Sequence, residues 1–402
     1  MGSQPKSHHY VPEWYQRRFM VSGAHAYKLH YLDLAPEKVA HSDGSFHYRK
    51  SRRQLGPDRC FATDYFYQLR IGAYVSDGLE TVFFGQIDDA GARAVEFFCD
   101  YQITDQAGPN FQALVRYMDA QKWRTPKGLD FLKWQIRKNL KGKMASPQVE
   151  HQMALMLLRQ FHMLYCTIWS EAVWEVLSCD NTQTKFIVSD HPVTVYNKGV
   201  FPSAQEAQYP FDPGIELLGS HTLFPLSLNR CLVLTNLGYV RDPGVSLVKR
   251  RENPRYYDQG LFDLRKIQTG RQLDEQAVLS INHVLKSRAR RYIAAAYEDW
   301  LYPERHVGKT MWNKLGGKFF LMPDPRKVSF TTGIIAGGDG WGWSTDEYGR
   351  RMSREKDTDV KKVRDREFRT FEKAKQSWDS VFGELSPKEL YRAHNGFDKP
   401  GT

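Results

Sequence analysis

The sequence predicts an α+β protein. Helices should dominate the N-terminal half, a small mixed or antiparallel sheet the second half, and an irregular basic extension the C-terminal end. Three observations point there. Between residues 77 and 174, apolar side chains recur every three or four positions over long stretches. From 173 to 237 the texture changes to short β-branched and aromatic runs separated by turn residues. Beyond about residue 303 the periodicity weakens, and Gly-rich, aromatic and highly charged stretches follow. The chain of 402 residues thus divides into a domain over 1–300 and an extension over 301–402.

The elements can be justified in order. "HAYKLHYLDL" (25–34) alternates as a strand does, and the polar, basic stretch after it ends in a turn at Gly56-Pro57-Asp58. The first strong helix covers 77–101. Leu79, Val82, Phe83, Ile87, Ala90, Ala94, Phe97 and Phe98 share its apolar face, and Asp77 stands where a cap belongs. Two further helices fit 110–121 and 128–140. A long one begins at Pro147, a residue suited to the first helical position, and its pattern runs to Trp174. It is apolar nearly all round, so it should cross the core.

"VWEVLSC", "DNTQ" and "KFIVSD" then read as a hairpin. "PVTVYN", "HTLFPL" and "RCLVLTNL" read as further strands, with a Pro- and Gly-containing loop over 199–217. The last good helix is expected over 274–298, with Asp274 at its start. "GGDGWG" (337–342) lacks the lysine and helix of a phosphate loop and reads as a flexible loop, and the charged stretch 352–382 as an exposed helix.

Composition narrows the function. Hydrophobic residues at 41% and aromatics at 13% suffice for a core, while a net charge of +11 favours phosphate-bearing partners if it is clustered. Cys60, Cys99, Cys166, Cys179 and Cys231 show no C-x-x-C spacing, which disfavours a zinc knuckle and points to reduced thiols in a cytoplasm. No apolar run is long enough for a membrane span, and the first twenty residues lack the apolar core of a signal peptide.

Side-chain chemistry is dense in three places. "SHHYVPEWYQRRF" (7–19) packs histidines, aromatics and paired arginines where a chain terminus is usually polar. "SDHPV" (189–193) sets a carboxylate and an imidazole at a strand end fixed by Pro192. The stretch 116–143 holds nine Lys and Arg against two Asp, with Trp123 and Trp134 interleaved.

Taken together, these segments resemble one family, the DUF4238 proteins, named for the lack of a known function. The resemblance rests on His9-Tyr10-Val11-Pro12 with its aromatic and basic continuation, on Ser189-Asp190-His191-Pro192-Val193, and on "FPLSLNRCLVL" (224–234). "LETVFFGQID" and "INHVLKSRARRYI" add weaker similarity. The family pattern has Asn where this chain has His191, and Pro where it has Leu228. The resemblance covers roughly 8–297 and implies no activity.

Each segment admits two readings. Tyr10, Trp14 and Phe19 would anchor the terminus with the histidines as bystanders, or His8 and His9 would serve a metal or phosphate site. Asp190 would cap a turn, or act as ligand or general base. The 116–143 stretch would be a solvated helical face, or a nucleic-acid surface formed by Lys122, Trp123, Arg124, Lys133, Trp134, Arg137 and Lys138. Arg159, on one face with His162, should be buried and paired with Glu171 or Asp190.

The reading these features favour is a nucleic-acid-acting hydrolase, a metal-dependent nuclease that would serve in a defence system. A divalent ion (Mg, Mn or Zn) would be held by His9 and Asp190, with His8 or His191 assisting proton transfer and Arg159 steadying phosphate charge. The alternatives are a non-catalytic component that binds nucleic acid (RNA or DNA) or protein, with the C-terminal extension as a partner surface, and an enzyme acting on a nucleotide or small phosphorylated metabolite.

Overall fold

A computed structural model describes residues 7–21, 27–140, 146–251, 262–328, 332–336, 342–346, 351–352, 358–376, 378–389 and 391. The α+β class is as expected. Two four-stranded antiparallel sheets form its centre. One has the order Val188–Ser189, Tyr292–Ala295, Leu29–Asp33 and Arg52–Leu55; the other Thr194–Asn197, Ser220–Pro225, Arg230–Thr235 and Val173–Ser178. The strands Val173–Ser178 and Ser220–Pro225 are buried at every position, so both faces of the second sheet are covered. This explains why neither shows a clean alternation of apolar and polar residues.

Several sequence expectations are corrected. The N-terminal half is not simply helical, since short strands from Ser7–His9 to Tyr74–Ser76 precede the first long helix. Val173–Ser178 makes no hairpin with 185–190; it pairs with Arg230–Thr235, and Val188–Ser189 pairs with Tyr292–Ala295. The long helix from Pro147 stops at Phe161, and the chain reverses through Met163 at φ 71° before a short helix Cys166–Ser170. The helix expected over 274–298 ends at Arg288, and "YIAA" becomes a central strand. Asp77 accepts a side-chain bond from Gln68 and caps no helix. Residues 337–341 of the "GGDGWG" loop, 141–143 of the basic stretch and 25–26 of the first expected strand lie outside the described residues.

The helices Ala107–Arg124 and Pro126–Asn139 are where expected. Thr125 separates them, its hydroxyl accepting from the Gly128 N–H as an N-cap, with Pro126 at the first helical position. A Cβ on Gly128 would lie 2.4 Å from the carbonyl oxygens of Lys122 and Trp123, so this turn is closed to other residues. The main core runs past residue 300 through Leu301, Val307, Trp312, Leu315 and Leu321. A second cluster joins Val173, Tyr239 and Val240 to Met322, Val328, Phe371 and Trp378. Phe371 is fully buried, so the helix Thr358–Gln376 docks one face on the body.

The crowded N-terminal segment proves to be a core plug. Tyr15 stacks on Phe224 at 5.4 Å and donates its hydroxyl to the Pro225 carbonyl, while Trp14 packs on Tyr117 and Phe19 is fully buried. Gln16 donates to the carbonyls of Val11 and Cys60, and Gln121 donates to that of Tyr10. Buried polar backbone in an extended segment needs such partners.

Candidate functional site

The five residues Ser189–Val193 carry the chain from one central sheet to the other. Asp190, only 1% exposed, spends both carboxylate oxygens on backbone. Oδ1 accepts from the Arg290 N–H at 2.8 Å, and Oδ2 from those of Arg291 and Tyr292 at 2.7 and 2.8 Å. It thus ties the turn after the helix Glu275–Arg288 to the end of the neighbouring strand. Burial pushes its carboxyl up, although the three N–H groups pull against that shift. The capping reading describes what is seen.

His191 points the other way, into a buried polar cluster. Its Nε2 lies 2.9 Å from Oδ2 of Asp212, and its Nδ1 lies 2.9 Å from the Thr125 hydroxyl. An ionised carboxylate only accepts, so Nε2 carries the proton and the Thr125 hydroxyl donates to Nδ1. Lys122 Nζ donates to Asp212 Oδ2 at 2.6 Å and to the Val193 carbonyl at 3.2 Å. Lys127 Nζ donates to Asp212 Oδ1 at 2.6 Å and to the Arg288 carbonyl at 3.0 Å. Lys122 Nζ also lies 3.1 Å from Nε2 of His191, so of the two three-proton ammonium groups it is Lys127 that keeps a donor beyond these bonds.

Arg288 completes the cluster. It is 3% exposed, donates Nη1 to the Ala207 carbonyl at 3.0 Å, and lies over the Trp312 ring at 5.2 Å. Its Nε and Nη2 have no hydrogen-bond acceptor among the described residues. Three buried cations therefore surround one carboxylate.

The electrostatics follow from that imbalance. Burial alone would raise Asp212, but Lys122 and Lys127, with His191 behind them, outweigh it and hold the carboxyl well below its usual range. Burial and then the Lys122 charge bring His191 down to about 3, so the imidazole is neutral. Burial also lowers Lys127 and Arg288, with Asp212 opposing in each case.

The cluster opens into a cavity of about 730 Å³. Lys122, Lys127, His191 and Asp212 line one part, and Phe131, Trp134 and Phe211 form an aromatic wall. Trp134 meets Phe211 edge-on at 4.8 Å. Lys138 and Arg250 stand exposed among the lining residues, Lys138 over the Trp134 ring at 5.2 Å and Arg250 3.8 Å from Glu216. The volume is within the range of pockets that enclose small ligands. A smaller cavity of about 210 Å³ lies between 265–269 and the Lys327–Glu389 ion pair, away from these groups.

The expected site residues fall into three groups. Lys122, Trp123, Trp134, Lys138 and His191 meet at the cavity, Trp123 largely as core, stacked on Tyr165 at 5.1 Å. Arg124 is buried against Asp88 at 2.9 Å, while Lys133 pairs with Asp130 and Arg137 with Glu150. These three side chains are engaged in ion pairs within the chain and are not among the residues that line the cavity.

His8, His9, Asp190 and Arg159 stand elsewhere. His8 is fully buried and accepts from the Tyr67 N–H at 2.9 Å. His9 Nε2 meets the Asp58 carbonyl at 3.2 Å. Of the N-terminal motif it is Tyr10 whose hydroxyl senses Asp190, which adds to the burial that raises it. Arg159 is exposed, contrary to expectation, and Glu171 pairs with Arg251 instead. Asp190, with its oxygens engaged, does not suit a metal, and among the described residues no group of three or more His, Cys, Asp and Glu is placed to hold one. No step is therefore derived through a metal.

Thr125, Lys127, Asp212 and Arg288 were missed in the sequence. Lys127 is one basic residue among nine, Asp212 lies in the stretch read as a loop, and Arg288 falls inside the helix expected over 274–298 with nothing in its spacing to single it out.

These features define an α+β protein in which the crossover between two antiparallel sheets supplies one wall of a cationic cavity. Over residues 7–299 the chain matches the family model described as a protein of unknown function, DUF4238, and it belongs to that family. No curated protein and no solved structure matches it. No helix among the described residues is long and apolar enough to cross a membrane.

Proposed function

We propose that this protein is an enzyme acting on a small phosphorylated ligand held in the cavity. The observation that carries the reading is the charge balance of the buried cluster at the cavity: Lys122 and Lys127 in the lining, with Arg288 behind it, are met by Asp212, and His191 is neutral. Buried charge without a partner is costly, and a phosphate supplies both the missing negative charge and the acceptors for the idle donors. Lys127, whose ammonium is already weakened by burial, is the group suited to pass a proton to the bound ligand. His191, held by Thr125 and Asp212, fixes the carboxylate between the two lysines.

Isothermal titration with ribose 5-phosphate tests this. Wild type should bind it, and Lys127→Met, which keeps the side-chain length and removes the charge, should weaken binding by at least about tenfold, the loss of one charge-assisted contact. Absence of binding by ribose 5-phosphate and by nucleoside monophosphates alike at millimolar concentration, or equal binding by the variant, would contradict the reading.

The net charge of +11 favours a second reading, a nucleic-acid-acting hydrolase. A strand end would enter the same cavity, with Lys138 and Arg250 on the following phosphates. Oligonucleotide binding would then fall with salt by a logarithmic slope of about −0.7 per phosphate on single strands.

A further inference from the structure

We infer that the phosphorylated ligand is a nucleotide, its base lying on the aromatic wall and its phosphate at the lysine end; this rests on the phosphate reading above. A cavity built for phosphate alone needs cations and backbone donors. This one also carries Phe131, Trp134 and Phe211 on its wall. Trp134 is only partly buried, and Phe211 touches it edge-on rather than face to face, at 85°. Phe131 lies near-parallel to it at 28°, with ring centroids 6.3 Å apart, towards the long end of aromatic contact. The indole is thus only partly covered, and its exposed part within the cavity lining is what a planar group can reach. Lys138 lies over the same ring, which would add a cation to a stacked base.

Hydrogen-bonding side chains stand near that wall. Gln135 follows Trp134 in the lining, and Gln205 and Glu206 line the cavity from the loop that also carries Phe211 and Asp212. A base presents donors and acceptors at its edge, and amide and carboxylate groups are the complementary readers. A sugar phosphate would use the inner end and leave this wall unoccupied. The volume of about 730 Å³ exceeds what a phosphate or small sugar phosphate needs.

The test compares AMP, UMP and ribose 5-phosphate by isothermal titration on wild type, Trp134→Ala and Trp134→Phe, with each variant's melting temperature recorded. Wild type should bind at least one nucleotide about tenfold or more tighter than ribose 5-phosphate, the gain expected from stacking one base. Trp134→Ala should bring that ratio below about twofold, and Trp134→Phe should restore most of it. Equal binding of nucleotides and ribose 5-phosphate by wild type would overturn the inference while leaving the phosphate reading standing. A ratio unchanged in Trp134→Ala would also overturn it. Binding of none of the three would bring down both.

Discussion

Nε2 of His191 stands 2.9 Å from Oδ2 of Asp212, joining the crossover between the two central sheets to a loop residue 21 positions on. The same carboxylate is shared by Lys122 and Lys127, each at 2.6 Å. Among the described residues, Asp212 is thus the only counter-charge in direct contact with either lysine.

Asp212→Asn should therefore destabilise the protein by about 3–5 kcal/mol, since it leaves buried ammonium groups uncompensated. Added phosphate should recover part of that loss, because a ligand that binds only the folded state stabilises it. Melting curves with and without phosphate check this. Equal phosphate-induced shifts in variant and wild type would argue against an anion site beside Asp212.

Asp190→Asn should cost about 3 kcal/mol of unfolding free energy by urea titration. It replaces an acceptor of three backbone N–H bonds with an amide that presents its own N–H groups to them. Unchanged stability with lost activity would instead favour a chemical role for this carboxylate.

The two tryptophans of the basic helices should separate. Trp123 is 2% exposed and packed against Phe131, Phe161 and Tyr165, so Trp123→Ala should cost roughly 3–5 kcal/mol. Trp134 is partly exposed on the cavity wall, and Trp134→Ala should cost about 1–2 kcal/mol. Equal losses would remove Trp134 from the cavity wall.

Stability should depend on pH in two opposed ways. His191 and His221 are both brought down to about 3, from about 6.5 in an unfolded chain. Their folded values are depressed, so the stability they confer is present above about pH 6.5 and is lost as pH falls towards 3. Glu80 is pushed up to about 7 by burial against the opposing charge of Arg124. Its contribution is present below about pH 4.5 and is lost as pH rises through 7. Glu80→Gln should accordingly raise the melting temperature at pH 8.5 and change it little at pH 4.5. An equal shift at both values would show that Glu80 does not titrate in this window.

How much was legible in the sequence depended on whether the cause was local. Apolar spacing placed the helices Ala107–Arg124 and Pro126–Asn139, and Asp274 marked its helix start correctly by accepting from the Ala277 N–H. "RRYIAAA" misled because alanine favours helix, yet Tyr292–Ala295 is central in its sheet, where tertiary pairing overrides a weak preference. "DNTQ" is a sound turn, but the strand before it finds its partner at Arg230–Thr235, and no local signal carries that pairing. His191 stood out because a carboxylate and a proline flank it. Asp212 and Arg288 did not, because their meaning arises only when a loop and a helix end are brought to the same lysines.

A crystal soaked in sodium tungstate, a heavy tetrahedral dianion, examines the cavity most directly. An anomalous peak should appear within hydrogen-bond reach of Lys127 Nζ and of Lys122 or Arg288, and competing phosphate should displace it. Tungstate found only on exposed cations such as Lys138 and Arg250, with the inner end of the cavity empty, would contradict a phosphate site there.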